Sequence, residues 1–163
     1  MTVSAGLPMF SAMEWSIAGL PLHPLVVHAA VVITPLAALA ALAYVFLGRY
    51  RDLLRWPTLV LAVVSVLSVW AAYFTGVNFF DSDRFANFSG EALDKIETHE
   101  GYANTLRWIA SVFAIVTIAA TYFYHDRTGT IRTVLGALIA ISAVATLVWV
   151  ALTGDAGARA VWG

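Results

Sequence analysis

Cysteine is absent, so disulfides, iron–sulfur clusters and thiolate sites are excluded, and any metal or cofactor must be held by His, Asp, Glu, Met, Tyr or main-chain groups. Charge is scarce too: charged residues are 12% of the 163, against about 25% in typical soluble domains, while hydrophobic residues reach 61%. This balance excludes an ordinary water-soluble domain and reads as a membrane protein. A basic surplus is also missing, the formal net charge being -1, which leaves no patch to anchor a phosphate backbone and excludes nucleic acid as a partner. Residues 1–22 contain no Lys or Arg and so lack the basic start of a secretory signal. They read as an interfacial or flexible segment, "FSAMEWSIAGL" being expected either as a short interfacial helix with Trp15 among the headgroups or as part of a disordered tail.

What is present is apolar sequence in four long runs. A spanning helix needs about 20 mostly apolar residues, and residues 24–48, 57–77, 103–124 and 131–153 qualify. Each lacks charge through its centre, apart from Arg107 near the start of the third. Because helices satisfy their own backbone groups in lipid, the expected fold is all-α: a single four-span transmembrane bundle over residues 23–163. The first connection, "GRYRDLLRW", carries Arg49, Arg51 and Arg55, and the third, "HDRTGTIR", carries Arg127 and Arg132. The excess of positive charge places these two connections in the cytoplasm and both termini on the outer side, as expected of a multi-pass protein of the bacterial cytoplasmic (inner) membrane.

The second connection holds six acidic residues against Arg84 and Lys95, and lies outside. Its part from Ser89 to Thr98 reads helically, with Ser89 as a candidate N-cap and Ala92, Leu93 and Ile96 on one stripe. The third helix is therefore expected to begin outside the membrane and run continuously into it, past Gly101. Helices two and four reach Thr-Gly pairs, Thr75-Gly76 and Thr153-Gly154, where glycine reads as ordinary C-capping. The following "GDAGARAVWG" is expected to fold back over the outer end of the bundle.

Three of the four histidines collect on that outer side. "LPLHPLVVHAAVV" sets His23 in the cap region of the first helix and His28 about one turn further in, while His99 lies on the outer extension of the third helix. Counted from Arg49 and His125 at about 1.5 Å per residue, His28 lies about 31 Å up its helix, and His23 and His99 both about 39 Å. An ionisable side chain inside a span is costly and points to function. His125 stands alone at the opposite end, where it reads as a cation at a helix C-terminus. A two-haem cytochrome is thereby excluded, since haem ligands would be needed at both faces.

One cofactor site at the outer face is the leading expectation: a single haem b held by His28 and His99, with His23 the alternative ligand, or a divalent transition metal held by His23, His28, His99, Glu100 and Glu97. The glutamates serve equally to orient the spare ring nitrogens. The protein is then a redox or electron-transfer module whose partners are the lipid bilayer and either a membrane redox complex or further copies of itself. The competing expectation is a cofactor-free accessory or assembly subunit of a larger membrane complex. No nucleophile or acid/base constellation appears, so the reading leans away from an enzyme. Transport is disfavoured because the midplane offers little polar beyond Thr34, Ser65, Ser68, Thr117 and Ser142.

"LPLHPLVVHAAVVITPLAALAAL", the Thr-Gly ending of helix two, "THEGYAN" before helix three and the terminal "GARAVWG" together resemble an uncharacterised bacterial family of four-helix membrane proteins, domain of unknown function 2231. The resemblance covers most of residues 20–163, and the His-Pro-x-x-x-x-His opening carries most of its specificity. The family pattern falls on His23, Pro24, His28, His99 and Asn104. Members commonly end in a Gly-Gly-x-x-Val-Tyr-like segment, where this chain has Gly157, Ala158, Val161 and Trp162. Some relatives are fused to Rieske-type iron–sulfur domains, and the resemblance thus implies a link to electron transfer.

Overall fold

A computed structural model describes residues 15–81 and 89–162. Arg84 and the early part of the second connection lie outside the described residues, as does most of the N-terminal segment. Four helices dominate: α1 (Leu22–Phe46), α2 (Arg51–Phe80), α3 (Glu91–Ile118) and α4 (Thr130–Trp162). A 3-10 turn, Gly48–Tyr50, links α1 to α2, and α3 runs on through a π-helical turn, Ala119–Phe123. All four are long and apolar enough to cross a membrane. Each of α1 and α3 packs against both α2 and α4, so α1 and α3 stand on one diagonal of the bundle.

The core is built from small side chains. Ala37, Ala38 and Ala41 of α1 and Ala143 of α4 are fully buried around Phe113, Ile139 and Tyr44. Small side chains let helix backbones approach closely, and close van der Waals contact drives association where lipid removes the hydrophobic advantage of burial. The large apolar side chains accordingly face outward, Leu36, Leu39, Leu67, Val112, Ile115 and Ile141 among them. Several hydroxyls buried in the core bond a carbonyl one turn back, Thr121 to Thr117, Ser142 to Leu138 and Thr146 to Ser142, at 2.7–2.8 Å, whereas Thr117 Oγ1 has no partner among the described residues. Ser65 instead donates across to Thr34 Oγ1 at 3.1 Å and ties α2 to α1.

The helices differ from their expected bounds in ways that shape the ends. Neither Thr-Gly pair terminates a helix: α2 continues to Phe80 and α4 to Trp162. The terminal segment therefore does not fold back over the bundle but prolongs α4, helped by the Asp155–Arg159 pair one turn apart. A glycine inside a helix costs only about 1 kcal/mol, less than exposing main-chain groups near lipid. The third helix does run without a break past Gly101, yet Ser89 does not cap it. Gly90, at φ 63°, precedes its first residue, and no side chain closes the cap.

The N-terminal segment also departs from expectation. Ser16–Ile17 (β1) and Leu20–Pro21 (β2) pair antiparallel, so these residues form a hairpin and not part of an interfacial helix. Its two central residues, Ala18 and Gly19, have φ of 52° and 78°, the left-handed pair that suits a two-residue hairpin turn. The Trp15 N–H donates to Asn78 Oδ1 at 2.8 Å, which fastens the hairpin to the end of α2.

Candidate functional site

At the end of the bundle that carries the hairpin, His23 of α1 and His99 of α3 meet across the diagonal. Their ring centroids lie 6.4 Å apart with the planes inclined at 65°. Each ring is held in the same manner by the neighbouring helix. His23 Nδ1 lies 3.0 Å from the Ala72 carbonyl of α2, and His99 Nδ1 lies 2.9 Å from the Thr153 carbonyl of α4. A carbonyl only accepts, so Nδ1 must carry the proton in both rings, and in the neutral tautomer Nε2 keeps its lone pair. Among the described residues neither Nε2 has a hydrogen-bond partner.

A glycine makes room for each imidazole four residues beyond the accepting carbonyl. A Cβ added at Gly76 would meet His23 Cε1 at 3.0 Å, and one at Gly157 would meet His99 Cε1 at 3.0 Å and Nδ1 at 3.1 Å. A side chain there would require the ring to shift by a few tenths of an ångström. The two halves of the chain thus repeat one device, in which a histidine early in the odd helix leans on a glycine late in the even one. Phe79 stacks on His23 from the side, at a centroid distance of 6.0 Å.

The other expected ligands do not join this pair. His28 is exposed, and its Nδ1 bonds the Pro24 carbonyl of its own helix at 2.6 Å. Five residues at 100° each rotate it about 140° from His23, so when one ring faces the bundle the other faces away. Glu97 and Glu100 are exposed on α3, as is Asn104. Main-chain carbonyls, not these glutamates, orient the imidazoles. No three His, Asp or Glu side chains converge anywhere among the described residues.

Arg107, one charge inside the third span, lies toward the same end. Its guanidinium carbon is 4.0 Å from the centroid of Tyr73, 5.0 Å from Trp70 and 5.2 Å from Trp108. This aromatic cage replaces a counter-ion and lets a cation lie among apolar helices. Trp70 Nε1 donates in turn to Ser111 Oγ at 3.0 Å.

The opposite end is organised around His125, which is buried and not the solvated helix-end cation that its position suggests. Its Nε2 lies 2.9 Å from Asp52 Oδ1 and its Nδ1 3.0 Å from the Tyr44 hydroxyl. The π-helical turn exposes carbonyls that would otherwise be bonded within α3. Tyr44 reaches the Ala120 carbonyl at 3.2 Å, and Arg55 donates to the Thr121 carbonyl at 2.9 Å. Arg51 donates to the His125 carbonyl at 2.8 Å. Sequence reasoning missed this cluster because its members come from three elements. It also missed the part played by Gly76 and Gly157, whose only signal was their position late in the even helices.

The chain belongs to the family described as predicted membrane protein (DUF2231), whose match covers residues 19–163. No curated protein and no solved structure matches it.

Proposed function

We propose that this member of the DUF2231 family is a small membrane redox module that holds one b-type haem between His23 and His99. The observation that carries the reading is the pair of imidazoles on diagonal helices, each with Nδ1–H fixed by a main-chain carbonyl and Nε2 left open. A metal-binding histidine is oriented in this way, through a hydrogen bond from its other nitrogen. Nε2 of His23 and Nε2 of His99 would be the atoms that hold the iron, and the two rings lie 6.4 Å apart, centroid to centroid, across the diagonal.

The number of ligands favours haem over a bare ion. Zinc takes three or four protein ligands, and no third His, Asp or Glu joins these two among the described residues. Haem iron takes two, its other four positions being filled by the porphyrin, and a haem so bound carries one electron. His23 therefore replaces His28 as the partner of His99 in this reading. The arginine distribution supports placing the histidine end on the outer side of a bacterial inner membrane, with a membrane redox complex as the module's partner.

The test is the visible spectrum of the detergent-purified protein, oxidised and then reduced with dithionite, with His23→Ala, His99→Ala and His28→Ala beside it. The reading expects a Soret band that sharpens on reduction, is lost in the first two variants and survives in the third. A colourless protein would remove the haem and favour the second reading, a cofactor-free accessory subunit. That reading rests on the same bonds to Ala72 and Thr153, which would then serve only to strut one helix against the next.

A further inference from the structure

The arginine end of the bundle contains a cavity of about 410 Å³ between α1 and α4, remote from the histidine pair. Arg51, Arg132 and Tyr124 line it near the helix ends, while Val45, Gly136 and Ala140 line it further into the spans. No carboxylate lines it. Arg51 is fixed by its bond to the His125 carbonyl, and its guanidinium lies 4.8 Å over the Tyr44 ring. Asp52, the nearest acid in sequence, accepts from His125, and no ion pair joins it to Arg51 among the described residues. Arg132 makes no hydrogen bond or ion pair among the described residues. It reaches across from α4 until Nη2 is 3.6 Å from where a Cβ of Gly48 would stand, at the end of α1.

Two guanidinium groups bordering one cavity repel each other unless an anion lies between them. Arginine forks suit phosphate oxygens, and basic pockets between membrane helices recruit lipid headgroups. The apolar wall argues against a free anion. Gly136 and Ala140 lie one and two turns above Arg132, and Val45 faces Gly136 closely enough to be 3.4 Å from a Cβ placed there. The cavity thus has a cationic mouth at the membrane surface and an apolar wall running toward the bilayer centre. We propose that it binds an anionic phospholipid, with the headgroup phosphate on Arg51 and Arg132 and an acyl chain along Val45, Gly136 and Ala140. The Tyr44–His125–Asp52 chain of hydrogen bonds is the brace that holds Arg51 in place.

The experiment is native mass spectrometry of the full chain released from mild detergent. It is titrated with phosphatidylglycerol, with phosphatidylcholine of the same chains, and with glycerol phosphate. Phosphatidylglycerol is expected to bind saturably and to outcompete both other probes. Arg132→Gln removes one cation that bonds nothing within the protein, and should weaken binding roughly five-fold, the effect of one charge at the membrane surface. Ala137→Phe fills the exposed side of the cavity without altering charge, and should weaken binding as well. Arg127→Gln, at the same end but outside the cavity, should leave it unchanged. Equal binding of phosphatidylcholine would overturn the proposal, as would glycerol phosphate competing as tightly as the lipid. So would an Arg127→Gln effect as large as that of Arg132→Gln, or no effect of either cavity variant.

Discussion

At one end of the bundle His23 and His99 each commit a single ring nitrogen to a main-chain carbonyl and keep the other open. At the opposite end His125 has both nitrogens engaged, one with Tyr44 and one with Asp52. The residue type is the same and the surroundings decide its use. A buried polar atom left without a partner costs about 1–3 kcal/mol, so a histidine whose two nitrogens are both bonded is explained by the fold alone. His23 and His99 are half-buried, their ring centroids lie 6.4 Å apart across the bundle, and the second nitrogen of each has no partner among the described residues. The glycines sharpen the contrast. Gly76 and Gly157 give up side-chain packing to admit an imidazole, whereas His125 lies beneath a π-helical turn that opens carbonyls for arginines.

The strongest way to break this comparison is to exchange the open rings. His23→Ala or His99→Ala should abolish haem absorbance entirely, and His125→Ala should retain it. Loss of colour in the His125 variant alone, with the protein still folded, would invert the assignment. The glycines give a smaller but more local effect. Gly157→Ala sets a Cβ about 3.0 Å from His99 Cε1, so haem occupancy should fall well below the parent value while helicity by circular dichroism is unchanged; full occupancy would show that the ring needs no such room.

At the other end the expected cost is in stability. Tyr44→Phe deletes the hydroxyl shared by His125 and the Ala120 carbonyl and leaves a buried ring nitrogen unpaired, which should cost about 1–3 kcal/mol in denaturant unfolding of the micelle-bound protein. Haem absorbance should not change, and a loss of colour would couple two ends that the comparison keeps apart. The smallest effect is expected on the prolonged part of α4. Asp155 and Arg159 form an exposed pair one turn apart, and Arg159→Ala should change stability by only about 0.3–0.5 kcal/mol. A larger loss would mean that the terminal turn supports the His99 site.

Some of this was legible in order and spacing. The level heights of His23 and His99 follow from a constant rise per residue, and their rings are indeed neighbours. The preference for His28 overlooked rotation: a count along the axis says nothing of the face, and five residues turn the chain away. The capping role given to Thr75-Gly76 and Thr153-Gly154 came from a rule for helix ends in water. Here the helices run on, and one of those glycines, Gly76, together with Gly157, serves a side chain from another helix. The hairpin at Ala18 and Gly19 was hidden by the apolar residues on either side, which also suit an interfacial helix.

By itself the sequence determined that this protein is a four-helix membrane protein, because apolar length, sparse charge and the need to satisfy every backbone group in lipid leave one solution. It also set which residues share a level, since helix rise is fixed by local hydrogen bonding. Tertiary structure alone decided which side chains meet: His23 with His99 and not His28, His125 with Tyr44 and Asp52, Arg132 with the cavity beside α1. Those pairings depend on how each helix is rotated about its axis and which neighbour it faces. Both are set by the close packing of alanine and glycine surfaces from distant parts of the chain.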